Sequence, residues 1–191
     1  MKLFIDELEQ HRAVINDLAS CNGVIEAAAE LLINTLQQGG KILLCGNGGS
    51  AADCQHIAAE FVVRYEKKRR ALAAIALTTD SSILTAHAND FDFETVFSRQ
   101  VEALGNSNDC LIAISTSGNS NNVLKAAIAA RNKGMAVIAL TGASGGMIRA
   151  QATLTVLVPS RVTARIQEAH ILIGHYWCGA VEERLSVSDK P

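Results

Sequence analysis

The sequence is short of loop-breaking residues and of any marked charge. Its 191 residues hold two prolines, Pro159 and Pro191. Nothing reads as a linker, and no internal repeat or low-complexity segment is present. Seventeen Lys and Arg stand against nineteen Asp and Glu, which leaves no global field to draw the chain to nucleic acid or a membrane surface. No apolar run approaches the roughly 18 residues that cross a bilayer. The stretch MKLFIDELEQHR sets acids where a signal peptide needs an apolar core. The five cysteines (21, 45, 54, 110 and 178) are odd in number, form no CxxC pair, and in three cases sit in apolar runs as reduced core thiols. The expectation is a cytoplasmic protein with neither membrane nor nucleic acid as a partner.

What is abundant is aliphatic: 49% of the residues are hydrophobic, enough for one good core and a single domain over 1–191. Five short runs rich in aliphatic and β-branched residues read as strands, at 41–46, 73–79, 110–116, 136–142 and 154–160. Most are apolar at successive positions, as in strands covered on both faces. The intervening segments are long enough for crossover helices, and 49–66 and 119–133 read clearly as such. The alternation predicts an α/β fold, a three-layer αβα sandwich around a five-stranded parallel sheet. Helices at about 3–20 and 23–38 form an N-terminal extension, about 1–38, and a last helix spans about 163–186. On the first helix, Phe4, Ile5, Leu8, Val14, Ile15 and Leu18 make a stripe broad enough for more than one neighbour. It can pack on its own sheet or join a bundle shared between subunits. The length of the two leading helices favours an oligomer.

After the first strand, Gly46-Asn47-Gly48-Gly49-Ser50-Ala51 fits G-x-G-x-x-A. A dinucleotide site would also want an acid about 20 residues on, and the second strand ends at Thr79-Asp80, well beyond that. No lysine completes a phosphate-loop pattern either. What remains is physical: glycines let a ligand approach the backbone, and the next helix offers free N–H groups. A second turn, ISTSGNSNN from Ile114 to Asn122, places the hydroxyls of Ser115, Thr116, Ser117 and Ser120 beside another helix start. Capping that helix needs one such residue. Four suit a phosphate monoester, whose oxygens only accept hydrogen bonds.

His56 and Glu60 lie four apart on one helix face, while Cys54 points about 200° away from His56. The pair is either a surface interaction or part of a metal site. The last helix carries Gln167, Glu168, His170 and His175 in an apolar setting. Gln167 and His175 stand roughly 12 Å apart along the axis, wide for one ion unless long side chains lean together. His11 and His87 have no comparable partners in the sequence, and the Lys67–Arg70 run KKRR reads as a solvated face.

These pieces together resemble the phosphoheptose isomerases, a branch of the sugar-isomerase (SIS) domain proteins. The resemblance is carried by CGNGGSAADCQHIAAEF, ANDF at 88–91, STSGNS at 115–120, ALTG at 139–142 and RIQEAHILIGH at 165–175. It runs from about residue 3 to 186. It implies conversion of sedoheptulose 7-phosphate to glycero-manno-heptose 7-phosphate, the first step towards ADP-heptose for lipopolysaccharide core. It also implies a homotetramer with sites between subunits and one zinc ion per subunit. By position, Asn47, Gly48 and Gly49 match substrate contacts, as do Asn89 and Asp90. Ser115, Thr116, Ser117 and Ser120 match the phosphate cradle, and Arg64 matches an arginine near the site. His56, Glu60, Gln167 and His175 match metal ligands, with Glu60 and Gln167 also touching substrate. Glu60 and His175 match the acid/base pair. Arg70 and Ala73 stand where relatives often carry proline.

A close relative of that branch binds the bacterial replication initiator and lacks the isomerase activity. It has no glutamate equivalent to Glu60 and reads STRGNS where this chain has STSGNS, so Glu60 and Ser117 favour the enzyme. A sugar-phosphate-sensing regulator would add a DNA-binding segment. Moving a proton between C1 and C2 through an enediol needs a base and stabilisation of the oxygen charge. Glu60 is the expected base and His175 the partner at the sugar oxygens. A carboxylate bound tightly to zinc is a poor base, so either Glu60 swings between roles or the zinc is partly structural.

Overall fold

The computed structural model describes residues 3–186. The five runs form strands β1 (Ile42–Gly46), β2 (Ala74–Ala76), β3 (Cys110–Ile114), β4 (Ala136–Gly142) and β5 (Leu154–Val158). They pair in parallel throughout, in the order β2-β1-β3-β4-β5. The helices are α1 (Phe4–Asp17), α2 (Asn22–Gln37), α3 (Gly49–Val62), α4 (Ser81–Asp90), α5 (Val96–Leu104), α6 (Asn121–Asn132) and α7 (Thr163–Ser186).

Strand pleating divides the core in two. Ile42, Leu44, Cys110, Ile112 and Ile114 face the layer of α2, α3 and α7. Leu43, Cys45, Leu111 and Ala113 face α5 and α6. Because both faces are covered, β1, β3 and β4 read as continuous apolar runs rather than as alternation. Cys45, Cys54, Cys110 and Cys178 are buried and Cys21 partly so, and all five are free thiols.

Differences from the sequence reading are local. The second strand is three residues long, not seven, because it lies at the sheet edge with one neighbour and its Ile75 is partly exposed. The first helix stops at Asp17 and closes in a 3-10 turn over Leu18–Cys21. Between β2 and β3 stand two helices that the sequence left unassigned. Asp80 starts α4 by accepting the Ile83 N–H at 2.9 Å. Val96, Phe97 and Val101 anchor α5 on the sheet. Helix α1 buries none of its residues; Phe4 is 81% exposed, and only Val14 and Ile15 reach the core edge.

His170 of α7 is 0% exposed. Its Nε2 lies 3.3 Å from the Thr141 carbonyl, and its Nδ1 has no partner. Donation to a carbonyl puts the proton on Nε2 and leaves a neutral ring. Burial lowers its pKa to about 4, with the Thr141 carbonyl opposing. The unfolded chain, with histidine near 6.5, therefore binds the extra proton first as pH falls. Stability contributed here is complete above about pH 6.5 and is lost towards pH 4, a total of up to about 3 kcal/mol. In His170→Asn, denaturation measured from pH 7 to pH 4 should fall less steeply than in the parent chain.

Candidate active site

The sheet order reverses between β1 and β3. The chain leaving β1 enters α3 on one face, and the chain leaving β3 enters α6 on the other. At such a switch point the two loops part and leave a crevice beyond the strand ends, where ligands of open α/β sheets bind. Here the crevice is spanned by reciprocal amides: Asn47 and Asn122 each donate to the other at 2.8 Å. Asn122 is buried, and its carbonyl also accepts the Val123 N–H at 2.9 Å.

Both turns present free donors. Gly48, with φ +56°, sits just before α3, a conformation that side chains resist. Ser120 stands at the N-cap of α6 without making the capping bond. Its hydroxyl instead meets the Ser115 hydroxyl at 3.0 Å, so the first turn of α6 is capped only at Val123, by the Asn122 amide. The Ser117 hydroxyl accepts the Asn119 N–H at 3.1 Å. Thr116 and Ser117 also line a cavity of about 300 Å³ with Ser144, Ser160, Arg161 and Thr163. Capping alone does not account for these hydroxyls.

The histidines and carboxylates lie along the seam between α3 and α7. The helices run parallel and close. A Cβ on Gly49 would meet the Gln167 amide, and one on Gly174 would meet Ile57 at 2.5 Å. Further along, His56 and His175 face each other with Nε2 atoms 3.2 Å apart. Glu60 reaches the same His56 nitrogen at 3.3 Å. The Tyr65 ring stacks on His175 at 5.7 Å between centroids.

Three of the four expected metal ligands, His56, Glu60 and His175, thus meet. Gln167 lies at the glycine end of the seam against Gly49, roughly two helical turns before His175. Two ligands of one tetrahedral zinc stand about 3.3 Å apart, given bonds of about 2.0–2.1 Å. Both spacings around His56 match that value. Among the described residues, however, no group of three or more His, Cys, Asp or Glu is already gathered as a metal site. The donors therefore fit zinc in chemistry and in two spacings, with His56 common to both.

Other expected residues stand apart. Asn89 donates to Asp90 at 2.8 Å on the exposed end of α4. Arg64 is exposed and reaches the Glu66 carbonyl at 3.4 Å. His11 pairs with Glu168 at 2.8 Å and His87 with Thr95 at 2.7 Å, so both have partners that the sequence did not reveal. The KKRR run is not a solvated face throughout. The Arg69 side chain is 1% exposed and pairs with Glu182 at 3.1 Å, because a buried carboxylate requires a counter-charge there.

The sequence matches the SIS domain family over residues 8–142. The phosphoheptose isomerase of Campylobacter jejuni is 54% identical over 93% of this chain and 95% of its own length. That of a Roseiflexus species is 58% identical over 85% and 82%. The solved phosphoheptose isomerase of Neisseria gonorrhoeae is 46% identical, with a TM-score of 0.89 over 94% of this chain and 96% of its own. That of Francisella tularensis is 37% identical, with a TM-score of 0.90 over 95% and 100%. The chain belongs to the phosphoheptose isomerase family. Likeness to more distant proteins, such as the Vibrio vulnificus NanR protein at 16% identity and a TM-score of 0.64, concerns the fold alone.

Within this phosphoheptose isomerase fold, the structure adds residues that the sequence reading passed over. Asp53 precedes His56 by one turn on the stripe Gly49, Asp53, His56, Glu60. One of its oxygens is buried without a partner. Burial raises its pKa to about 6, against the opposing charge of His56. The helical spacing of that stripe could have singled it out. Asn122 and Tyr65 carry no such signal, since their roles depend on loops that meet only in the folded chain.

Gly118, with φ +69°, packs so closely that a Cβ would overlap the Gly145 carbonyl oxygen. Gly118→Ala should displace the serine turn, raise KM for a sugar phosphate and cost about 1–3 kcal/mol of stability. Kinetics and chemical denaturation test this, and an unchanged KM would separate that turn from phosphate binding.

Proposed function

We propose that the chain interconverts sedoheptulose 7-phosphate and D-glycero-D-manno-heptose 7-phosphate, the first step towards ADP-heptose for lipopolysaccharide core. Family membership already makes it a sugar-phosphate isomerase. The observation that carries the finer reading is the meeting of Glu60 and His175 around His56 on the α3–α7 seam. That seam begins at the glycine turn beside a separate hydroxyl-rich anion site.

In this reading Ser115, Thr116, Ser117 and Ser120, with the N–H groups opening α6, hold the phosphate. Asn47, Gly48 and Gly49 border the sugar, and Gln167 reaches it from α7. The Glu60 carboxylate takes the proton from one carbon of the C1–C2 pair and returns it to the other. His175 moves the proton at the sugar oxygens. His56, Glu60 and His175 would hold one zinc ion per subunit, and Gln167, which lies against Gly49, would become a fourth donor by leaning along the seam. Zinc, when bound, supplies Lewis-acid polarisation of a carbonyl.

A homotetramer with sites between subunits is part of the same proposal. The N-terminal part of the α1 stripe, Phe4 and Ile5, is exposed, while Val14, Ile15 and Leu18 pack on the core of their own chain, and an exposed apolar end of this kind suits a surface covered by another copy. Asn89, Asp90 and Arg64, outside the cluster of their own chain, fit a site that a neighbour completes. The competing role, binding a replication initiator, gains nothing from a glutamate at position 60 set against two histidines.

The deciding experiment is incubation of the zinc-loaded protein with sedoheptulose 7-phosphate, with products followed by mass-resolved chromatography and NMR. No heptose phosphate product would overturn the substrate assignment. Glu60→Gln keeps the side-chain shape and removes the base, so kcat should fall about 10²–10⁴-fold, with the oligomer intact by light scattering. Zinc content is measured in the same variant, and near-normal turnover at full zinc would remove Glu60 from the mechanism. His56→Ala should lower zinc content by elemental analysis more than Gln167→Ala does, because His56 is shared by both close pairs.

A further inference from the structure

The carboxylate of Glu182, near the end of α7, is 2% exposed and collects an unusual set of donors. It accepts the backbone N–H of Tyr65 at 2.9 Å, of Glu66 at 2.8 Å and of Lys67. It also accepts Arg69 Nε at 3.1 Å. Burial alone pushes its pKa up, and these donors with the Arg69 charge bring it below the usual carboxylate range. Arg69 then reaches the other way. Its guanidinium donates to the carbonyl of Glu60 at 2.7 Å and of Phe61 at 2.9 Å, both in the last turn of α3, where the Phe61 carbonyl also accepts the Leu72 N–H at 3.1 Å.

The segment from Val63 to Arg70 is thereby wound round one carboxylate. Tyr65, held by its own N–H, lays its ring on His175 and passes over Gly179. The chain of contacts begins at the backbone of Glu60 and ends on the ring of His175. The packing of α3 on α7 does not require it, since Ile57, Phe61, Ile173 and Trp177 already join the two helices in one apolar cluster. Apolar replacement of buried ion pairs is often neutral for stability, so stability alone gives little reason to keep this one.

We propose that Glu182 and Arg69 are positioning residues of the isomerase, fixing the Glu60 carboxylate against the His175 ring. The proposal rests on the reading of Glu60 and His175 as the acid/base pair. Misplacing reacting groups by about 1 Å can cost about 100-fold in rate. The strut touches neither the serine turn nor the glycine turn, so ground-state phosphate binding is independent of it.

The test is Glu182→Gln in the full-length oligomer, with Tyr65→Leu as a second variant that leaves the ion pair intact. In Glu182→Gln, kcat per folded site should fall about 10- to 100-fold while KM stays within about twofold. The His175 ring resonance in ¹⁵N-edited NMR should shift as Tyr65 loosens. In Tyr65→Leu the same resonance should shift and kcat should fall in the same direction. A merely structural role would lower the melting temperature and the folded fraction but leave kcat per folded site unchanged, and that result overturns the proposal. Should Glu182→Gln not fold, Tyr65→Leu decides alone, and its unchanged kcat is equally fatal. Glu60→Gln separates the two levels. If it remains active, the acid/base reading itself fails. If it is inactive while Glu182→Gln turns over normally, only the positioning role fails.

Discussion

The close, parallel packing of α3 against α7 is the constraint on which the rest depends. It is possible because Gly174 leaves space for Ile57 and Gly49 leaves space for the Gln167 amide. A side chain at either position would push the helices apart or turn a neighbour out of the seam. With the helices close, residues 119 positions apart in sequence, His56 and His175, come within 3.2 Å. Alone, α3 offers a half-exposed histidine with an acid one turn away, and α7 offers His175 with no acid within a turn.

A second constraint operates across the sheet. The loops after β1 and β3 diverge because their helices lie on opposite faces, and the Asn47–Asn122 amides hold the gap at a fixed width. The two turns consequently form one rigid rim. Its hydroxyls are already held in place by contacts such as Ser115–Ser120 and Ser117–Asn119, so a ligand bound there would have little loop entropy to remove.

The parallel sheet and the long last helix were legible because both write themselves into local pattern. Apolar runs such as CLIAI and AVIALTG signal burial on two faces. Helix α7 shows as one uninterrupted span whose ends match the sequence reading at 163 and 186. The short edge strand and α4 were not legible to that degree. Ser81–Asp90 buries only His87 and is helical chiefly through its Asp80 cap and its neighbours. Local reading misjudged Arg69 for a related reason: nothing in KKRR announces a carboxylate 113 residues later. In the candidate site, the serine turn and the pair His56 and Glu60 were visible as spacing. The place of His175 among them, and the separation of Gln167, required the register of two helices that no single segment contains.

The facing histidines carry a consequence of their own. Two imidazole nitrogens 3.2 Å apart can share one proton but not two, since two N–H groups would point at one another. Glu60 meets the same His56 nitrogen, so that one atom stands between a carboxylate on its own helix and an imidazole on α7 that lies under Tyr65. A cation settling on the same nitrogens would first have to expel that proton, so the proton and a metal would exclude one another on one small surface.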